Sequence, residues 1–106
     1  MIPHLKPTLE VQDKAALFEV LQTGMVARGT KVAEFECAVA DYMGLGGAVA
    51  TSSGAASLVL TLKSLGIKRG DEVIIPTYVC HEVLDAVTFT GATTVLCDVG
   101  DDDWNM

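Results

Sequence analysis

Three short stretches hold residue types that could do chemistry: TSSGAAS at 51–57, PTYVCH at 76–81 and DVGDDD at 98–103. The first sets three hydroxyl residues, a glycine and two alanines at a strand-to-helix junction. N–H groups in a helix's first turn point outward and carry partial positive charge, so such a turn can hold a phosphate. Gly54 allows close backbone approach, and Ala55 and Ala56 put no bulk in the way. The same residues suit a plainer task, with Ser52 or Ser53 capping the helix. The stretch matches neither a P-loop nor GxGxxG, so it carries no nucleotide signature.

The second stretch offers an aromatic ring, a thiol and an imidazole. Tyr78 could stack on a ring, and Cys80 or His81 could line a pocket. The alternative packs Tyr78 and Cys80 under the following helix and leaves His81 in water. The third stretch is acidic, with Asp98, Asp101, Asp102 and Asp103. It lacks the glycine and distal glutamate of a calcium loop, so a solvated turn is expected. His4 and His81 have no partner at metal-ligand spacing, and no metal site is assigned. Lys6, Lys14, Lys31, Lys63 and Lys68 fall at polar helix positions or turns, where a nucleophilic lysine would lack the desolvation it needs. No catalytic residue is assigned.

Hydrophobic spacing supplies the elements that must position these groups. Val11, Ala15, Phe18 and Leu21 mark a helix starting near Thr8 and stopping at Gly24. Thr30 caps a second helix, with Val32, Phe35, Val39 and Tyr42 on one face and an end near Gly44. Ala48, Val49 and Ala50 form a short buried strand. Leu58, Leu62 and Leu65 mark a third helix, closed by Gly66. The turn KRGD (68–71) leads into a β-branched strand from Glu72 to Ile75, stopped by Pro76. His81 to Phe89 is a fourth helix with Val83, Leu84 and Val87 inward, and Thr94 to Cys97 is a third strand. The order is α-α-β-α-β-α-β. The strands are continuous apolar runs, the pattern of a parallel sheet covered on both faces. In such a sheet ligands sit beyond the carboxyl ends of the strands, where the three stretches fall.

Composition bounds the partners. The chain has 106 residues, is 50% hydrophobic and carries a net charge of -7. That charge argues against nucleic acid and anionic membrane as partners. No apolar run is long enough for a membrane span. Cys37, Cys80 and Cys97 are odd in number and widely spaced, which fits reduced thiols in a cytoplasm. A chain this short buries little surface by itself, so its apolar content suggests part of a bigger core or an oligomer.

Several segments, in order, resemble one family. GMVARGTKVAEFECAVADYMG resembles the glycine-flanked segment and following helix of the DegT/DnrJ/EryC1/StrS aminotransferases. GGAVATSSGAASLVLTLKSLGIKRGDEVIIPTYVC resembles their cofactor-phosphate segment with the turn and strand after it. AVTFTGATTVLCDV is similar to their next helix and strand ending in Asp-Val. The resemblance runs from about Pro3 to Val99.

The resemblance implies an α/β fold: the N-terminal part of a fold-type-I transferase large domain, three-layered with a mostly parallel sheet, and truncated. Residues 1–106 would be an incomplete domain, with 1–29 an N-terminal helix and loop and 30–106 the start of the large domain. It implies pyridoxal 5′-phosphate as cofactor, and amino transfer from glutamate or glutamine to a nucleotide-linked keto sugar. Ser53, Gly54, Ala55 and Ala56 match the segment that holds the cofactor phosphate, and this favours the cradle over the cap. The position matching Cys80 often holds an aromatic that stacks on the cofactor ring; here it is a thiol, and Tyr78 lies two residues earlier. The family's Schiff-base lysine and its pyridine-pairing aspartate lie beyond Met106, so this chain alone is expected to be inactive, and Asp98 is not that aspartate. The family works as a homodimer, and MVARG (25–29) either lines a site at its interface or is a plain loop. Two other readings stand: a sugar dehydratase of the same family, and a non-catalytic α/β binding module.

Overall fold

The computed structural model describes residues 2–106. They form α1 (Val11–Thr23), α2 (Thr30–Met43), α3 (Gly54–Ser64), β1 (Glu72–Pro76), α4 (His81–Thr88) and β2 (Thr93–Cys97). The chain divides into two units, one ending at Ala50 and one running Thr51–Met106. No described helix is long and apolar enough to cross a membrane.

In the first unit, α1 starts from Glu10, two residues beyond Thr8, where the Asp13 carboxylate accepts the Glu10 N–H at 2.8 Å. It ends where expected, on Gly24 at φ 70°, a left-handed turn that favours glycine. The N-cap of α2 is Gly29, and Thr30 is its first helical residue rather than its cap. The face expected to point inward does so only in part. Val32 and Val39 are half-buried, whereas Phe35 and Tyr42 are exposed; the buried residue of the helix is Ala40. No strand forms among the described residues of this unit, so no sheet within it covers that face.

Ala48–Ala50 is a correction to the sequence reading: it is not a strand. A strand is defined by the partner that shares its hydrogen bonds, and this segment has none. A side chain holds it instead. The Ala50 N–H donates to Glu36 Oε1 at 2.8 Å, and Arg28 Nη2 donates to both carboxylate oxygens at 3.0 and 2.8 Å. The Glu36 side chain is 11% exposed. The Ala50 N–H first, then Arg28, hold its carboxyl below the usual glutamate range.

The second unit is built on a βαβ crossover. β1 and β2 pair in parallel, with Ile74 opposite Val95 and Ile75 opposite Leu96. α4 connects them and packs on both strands and on α3. Pro76 is the last paired residue of β1 rather than the residue after it, and β2 begins at Thr93. The KRGD turn is present; Gly70 takes φ 99°, and the Lys68 N–H donates to the Asp71 carboxylate at 2.9 Å. Ile75, Ala86 and Val87 form the core. Burying Ile75 and Val87 contributes about 1.5–3 kcal/mol each. Of the expected inward face of α4, Val87 is buried, Val83 half-buried and Leu84 exposed. The strands are not covered on both faces as expected, since Ile74 is 59% and Leu96 64% exposed. A two-stranded sheet has two open edges, and α4 covers only part of its surface.

Candidate functional site

The turn at 51–57 is fixed by its own hydroxyls. Ser53 is the N-cap of α3, with extended backbone (φ −165°, ψ 164°) and its Oγ accepting the Ala56 N–H at 3.1 Å. The Ser57 N–H donates to the Ser53 carbonyl at 3.1 Å, and Thr51 Oγ1 donates to the same carbonyl at 2.9 Å. Thr51 Oγ1 and Ser57 Oγ share a further hydrogen bond. The cap predicted from sequence is therefore real, and Ser53 rather than Ser52 makes it. It satisfies only part of the first turn. The N–H groups of Gly54 and Ala55 have no acceptor among the described residues. Space at Gly54 is open, since a Cβ there would meet nothing within 4 Å. Capping and anion binding are compatible here, because the cap takes the Ala56 donor and leaves two others.

Gly54 and Ala55 line a cleft of about 750 Å3 with Ser53, Leu58, Cys80 and Glu82. That is within the roughly 300–1,000 Å3 usual for small-molecule sites. Cys80 is the N-cap of α4 and is exposed, so it does not pack under the helix. Glu82 follows in the first turn of α4, where a carboxylate is favoured by the helix dipole. Its own backbone N–H, then the Cys80 thiol and His81, hold its carboxyl below the usual range. His81 Nδ1 lies 3.6 Å from Glu82 Oε2 and its side chain is largely in water, as one of the two sequence readings has it. Sequence reasoning did not single out Glu82. An acid at the second position of a predicted helix was the available signal.

Of the six candidate residues, Ser53, Gly54, Ala55 and Cys80 line this cleft, and Ala56 and Tyr78 do not. Ala56 has its N–H taken by Ser53. Tyr78 is exposed and tilts against Trp104, with ring centroids 5.4 Å apart. Neither sequence reading of Tyr78 anticipated that contact. Its partner sits in the acidic tail, 26 residues away, where Trp104 takes φ 60° in a turn closed by Gly100 N–H to the Asn105 carbonyl at 2.8 Å.

Asp98 has a local structural task. Its Oδ1 accepts the Thr77 hydroxyl at 3.2 Å and the Val99 N–H at 2.9 Å, while the Thr77 N–H donates to the Cys97 carbonyl at 2.8 Å. These bonds tie together the carboxyl ends of β1 and β2. Asp101, Asp102 and Asp103 are exposed in the turn that follows. Residues of MVARG line a smaller hollow of about 230 Å3, with Glu19 and Lys31 among its walls.

The family model of the DegT/DnrJ/EryC1/StrS aminotransferase family matches residues 7–106. Solved structures agree. A protein assigned as a sugar aminotransferase from Streptococcus pneumoniae, in its PLP form, is 29% identical with a TM-score of 0.91. The match covers 97% of this chain and 26% of that one. DesV of S. venezuelae is 38% identical over 84% of this chain and 24% of its own, with a TM-score of 0.79. The aminotransferase TlmJ from Streptoalloteichus hindustanus is 35% identical over 93% of this chain and 28% of its own, with a TM-score of 0.83. The chain thus spans about a quarter of the length of the structures it matches. Its α/β architecture with a parallel sheet is theirs over that span.

Proposed function

Because this chain belongs to the DegT/DnrJ/EryC1/StrS aminotransferase family, a family of pyridoxal-phosphate-dependent sugar aminotransferases, we propose that it supplies the cofactor-phosphate grip of such an enzyme. The enzyme moves an amino group from glutamate or glutamine to a nucleotide-linked keto sugar, a step in making polysaccharide precursors. The observation that carries this reading is the pair of unbonded N–H groups, Gly54 and Ala55, on the wall of a ligand-sized cleft. Residues 30–106 are the start of the large domain in this reading, and 1–29 an N-terminal helix and loop.

The residues present fit the phosphate. Two backbone donors at a helix N-terminus, with open space at Gly54, suit a phosphate oxygen. The Ser53 hydroxyl keeps its own proton free to donate while its oxygen holds the Ala56 N–H. Cys80 lines the same cleft and would offer the ring a soft, polarisable surface in place of an aromatic face. Leu58 and Val83 add apolar surface to that wall. When bound, pyridoxal phosphate supplies an electron sink for charge developing next to nitrogen. The part of residues 1–106 in this reading is to bind and orient.

A homodimer in the cytoplasm completes the reading. Three free cysteines support a reducing compartment. Phe18 and Leu21 of α1 are more than half exposed, apolar surface of the kind subunit contacts cover. The test is transfer of a labelled amine from glutamate to a nucleotide-linked keto sugar by the full protein. Labelled amino sugar is the expected product. Loss of water from the sugar without gain of label would replace aminotransferase by dehydratase.

A further inference from the structure

We propose that Thr51 is a positioning residue of the phosphate turn, acting through the peptide group between Ser53 and Gly54. The inference rests on the phosphate reading made above. The Ser53 carbonyl and the Gly54 N–H belong to one peptide group. That group is planar and trans, so the two point in opposite directions. Whatever holds the carbonyl therefore aims the N–H. The carbonyl accepts the first bond of α3, from the Ser57 N–H at 3.1 Å. Thr51 Oγ1 adds a second at 2.9 Å, from outside the helix.

A hydroxyl has one proton to give. With that of Thr51 on the carbonyl, the hydrogen bond between Thr51 Oγ1 and Ser57 Oγ takes its proton from Ser57. Ser57 Oγ lies farther from the carbonyl itself, at 3.4 Å. The bonds form a chain: Ser57 hydroxyl to Thr51 hydroxyl to Ser53 carbonyl, ending in the Gly54 N–H. Bonds in such a chain polarise one another, so the last N–H is a stronger donor than a lone amide. Thr51 and Ser57 are both half-buried, where a hydrogen bond is electrostatically stronger than in open water. Thr51 is not among the residues that line the cleft, so it acts on the phosphate through the peptide rather than by contact. The Gly54 donor is aimed before the ligand arrives, and binding need not order it.

Calorimetric titration of the full protein with pyridoxal phosphate and with pyridoxal tests this. Pyridoxal has the same ring and aldehyde, with a hydroxyl where the phosphate ester stands. Thr51→Val removes the hydroxyl and keeps the branched side chain. It is expected to weaken pyridoxal phosphate by about three- to tenfold and to leave pyridoxal within about twofold. Thr51→Ser restores the hydroxyl and should return pyridoxal phosphate to within about twofold of the parent. Should Thr51→Val not fold, Thr51→Ala removes the same hydroxyl and is read in the same way. Equal weakening of both ligands would mean a general structural role and overturns the proposal, as does unchanged affinity for pyridoxal phosphate. If the parent protein itself binds pyridoxal phosphate no tighter than pyridoxal, the phosphate reading falls and takes the proposal with it.

Discussion

Two helix N-termini meet one cleft, and they differ in what completes them. α3 begins at Ser53, whose hydroxyl binds one N–H and leaves Gly54 and Ala55 unbonded. α4 begins at Cys80, which makes no capping bond to the helix, and carries Glu82 in its first turn. The first end leaves two donors without an acceptor among the described residues. The second end brings its own. A helix N-terminus is therefore not an anion site by virtue of its dipole alone. What matters is how many donors the local sequence leaves unanswered and whether an acid already stands there.

The largest break in this comparison comes from Gly54→Pro. Proline suits the first helical position, and Ser53 already has the extended backbone that a residue before proline adopts. The helix should survive while one of two donors disappears. Affinity for pyridoxal phosphate is expected to fall by about ten- to a hundredfold, as for loss of one charge-assisted hydrogen bond. Unchanged affinity in a titration would show that Gly54 does not contact the phosphate.

Ser53→Ala attacks the cap rather than the two unbonded donors. It is expected to cost about 1 kcal/mol of stability by denaturant unfolding. It also frees the Ala56 N–H, so phosphate binding should suffer less than in Gly54→Pro. The opposite ranking would mean that the Ser53 hydroxyl is the main contact.

Acid sharpens the contrast from the other side. The carboxyls of Glu82 and Glu36 are both held below the ordinary glutamate value of 4.5. A depressed folded value means stability that is complete above the unfolded value and lost as pH falls through the folded one. Protection of the amides at the start of α4, and at Ala50, taken relative to their intrinsic exchange rate at each pH, should therefore fall below about pH 4.5. The start of α3 has no acid of its own and should stay unchanged over the same window. Equal loss of protection at both helix starts would erase the difference between them.

The smallest expected effect is a gain. Cys80→Phe places a ring at an exposed position on the cleft, and should tighten pyridoxal phosphate about two- to tenfold through stacking. A loss would place the cofactor ring elsewhere.

Much of this was legible in the sequence. Glycine stops at Gly24 and Gly44, the Ser53 cap and the β-branched run of β1 rest on local rules, and local rules reached them. What failed was whatever needs a distant partner. Ala48–Ala50 has the residues of a buried strand, yet a strand exists only beside another. The bond from Glu36 to Ala50 crosses 14 residues and leaves no period in the pattern. The Tyr78–Trp104 contact is more remote still, and Tyr78 is not among the residues lining the cleft that Cys80 lines. The site is legible where it is made of one helix turn and obscure where two elements must converge.

The central claim is that Gly54 and Ala55 hold the cofactor phosphate. It is tested most directly by residue-resolved hydrogen exchange on the full protein, with and without pyridoxal phosphate. Gly54 and Ala55 should slow by about tenfold or more when bound, while Ala56, already bonded to Ser53, should change little. Exchange at Gly54 and Ala55 that the cofactor leaves untouched, with protection appearing elsewhere, would contradict it.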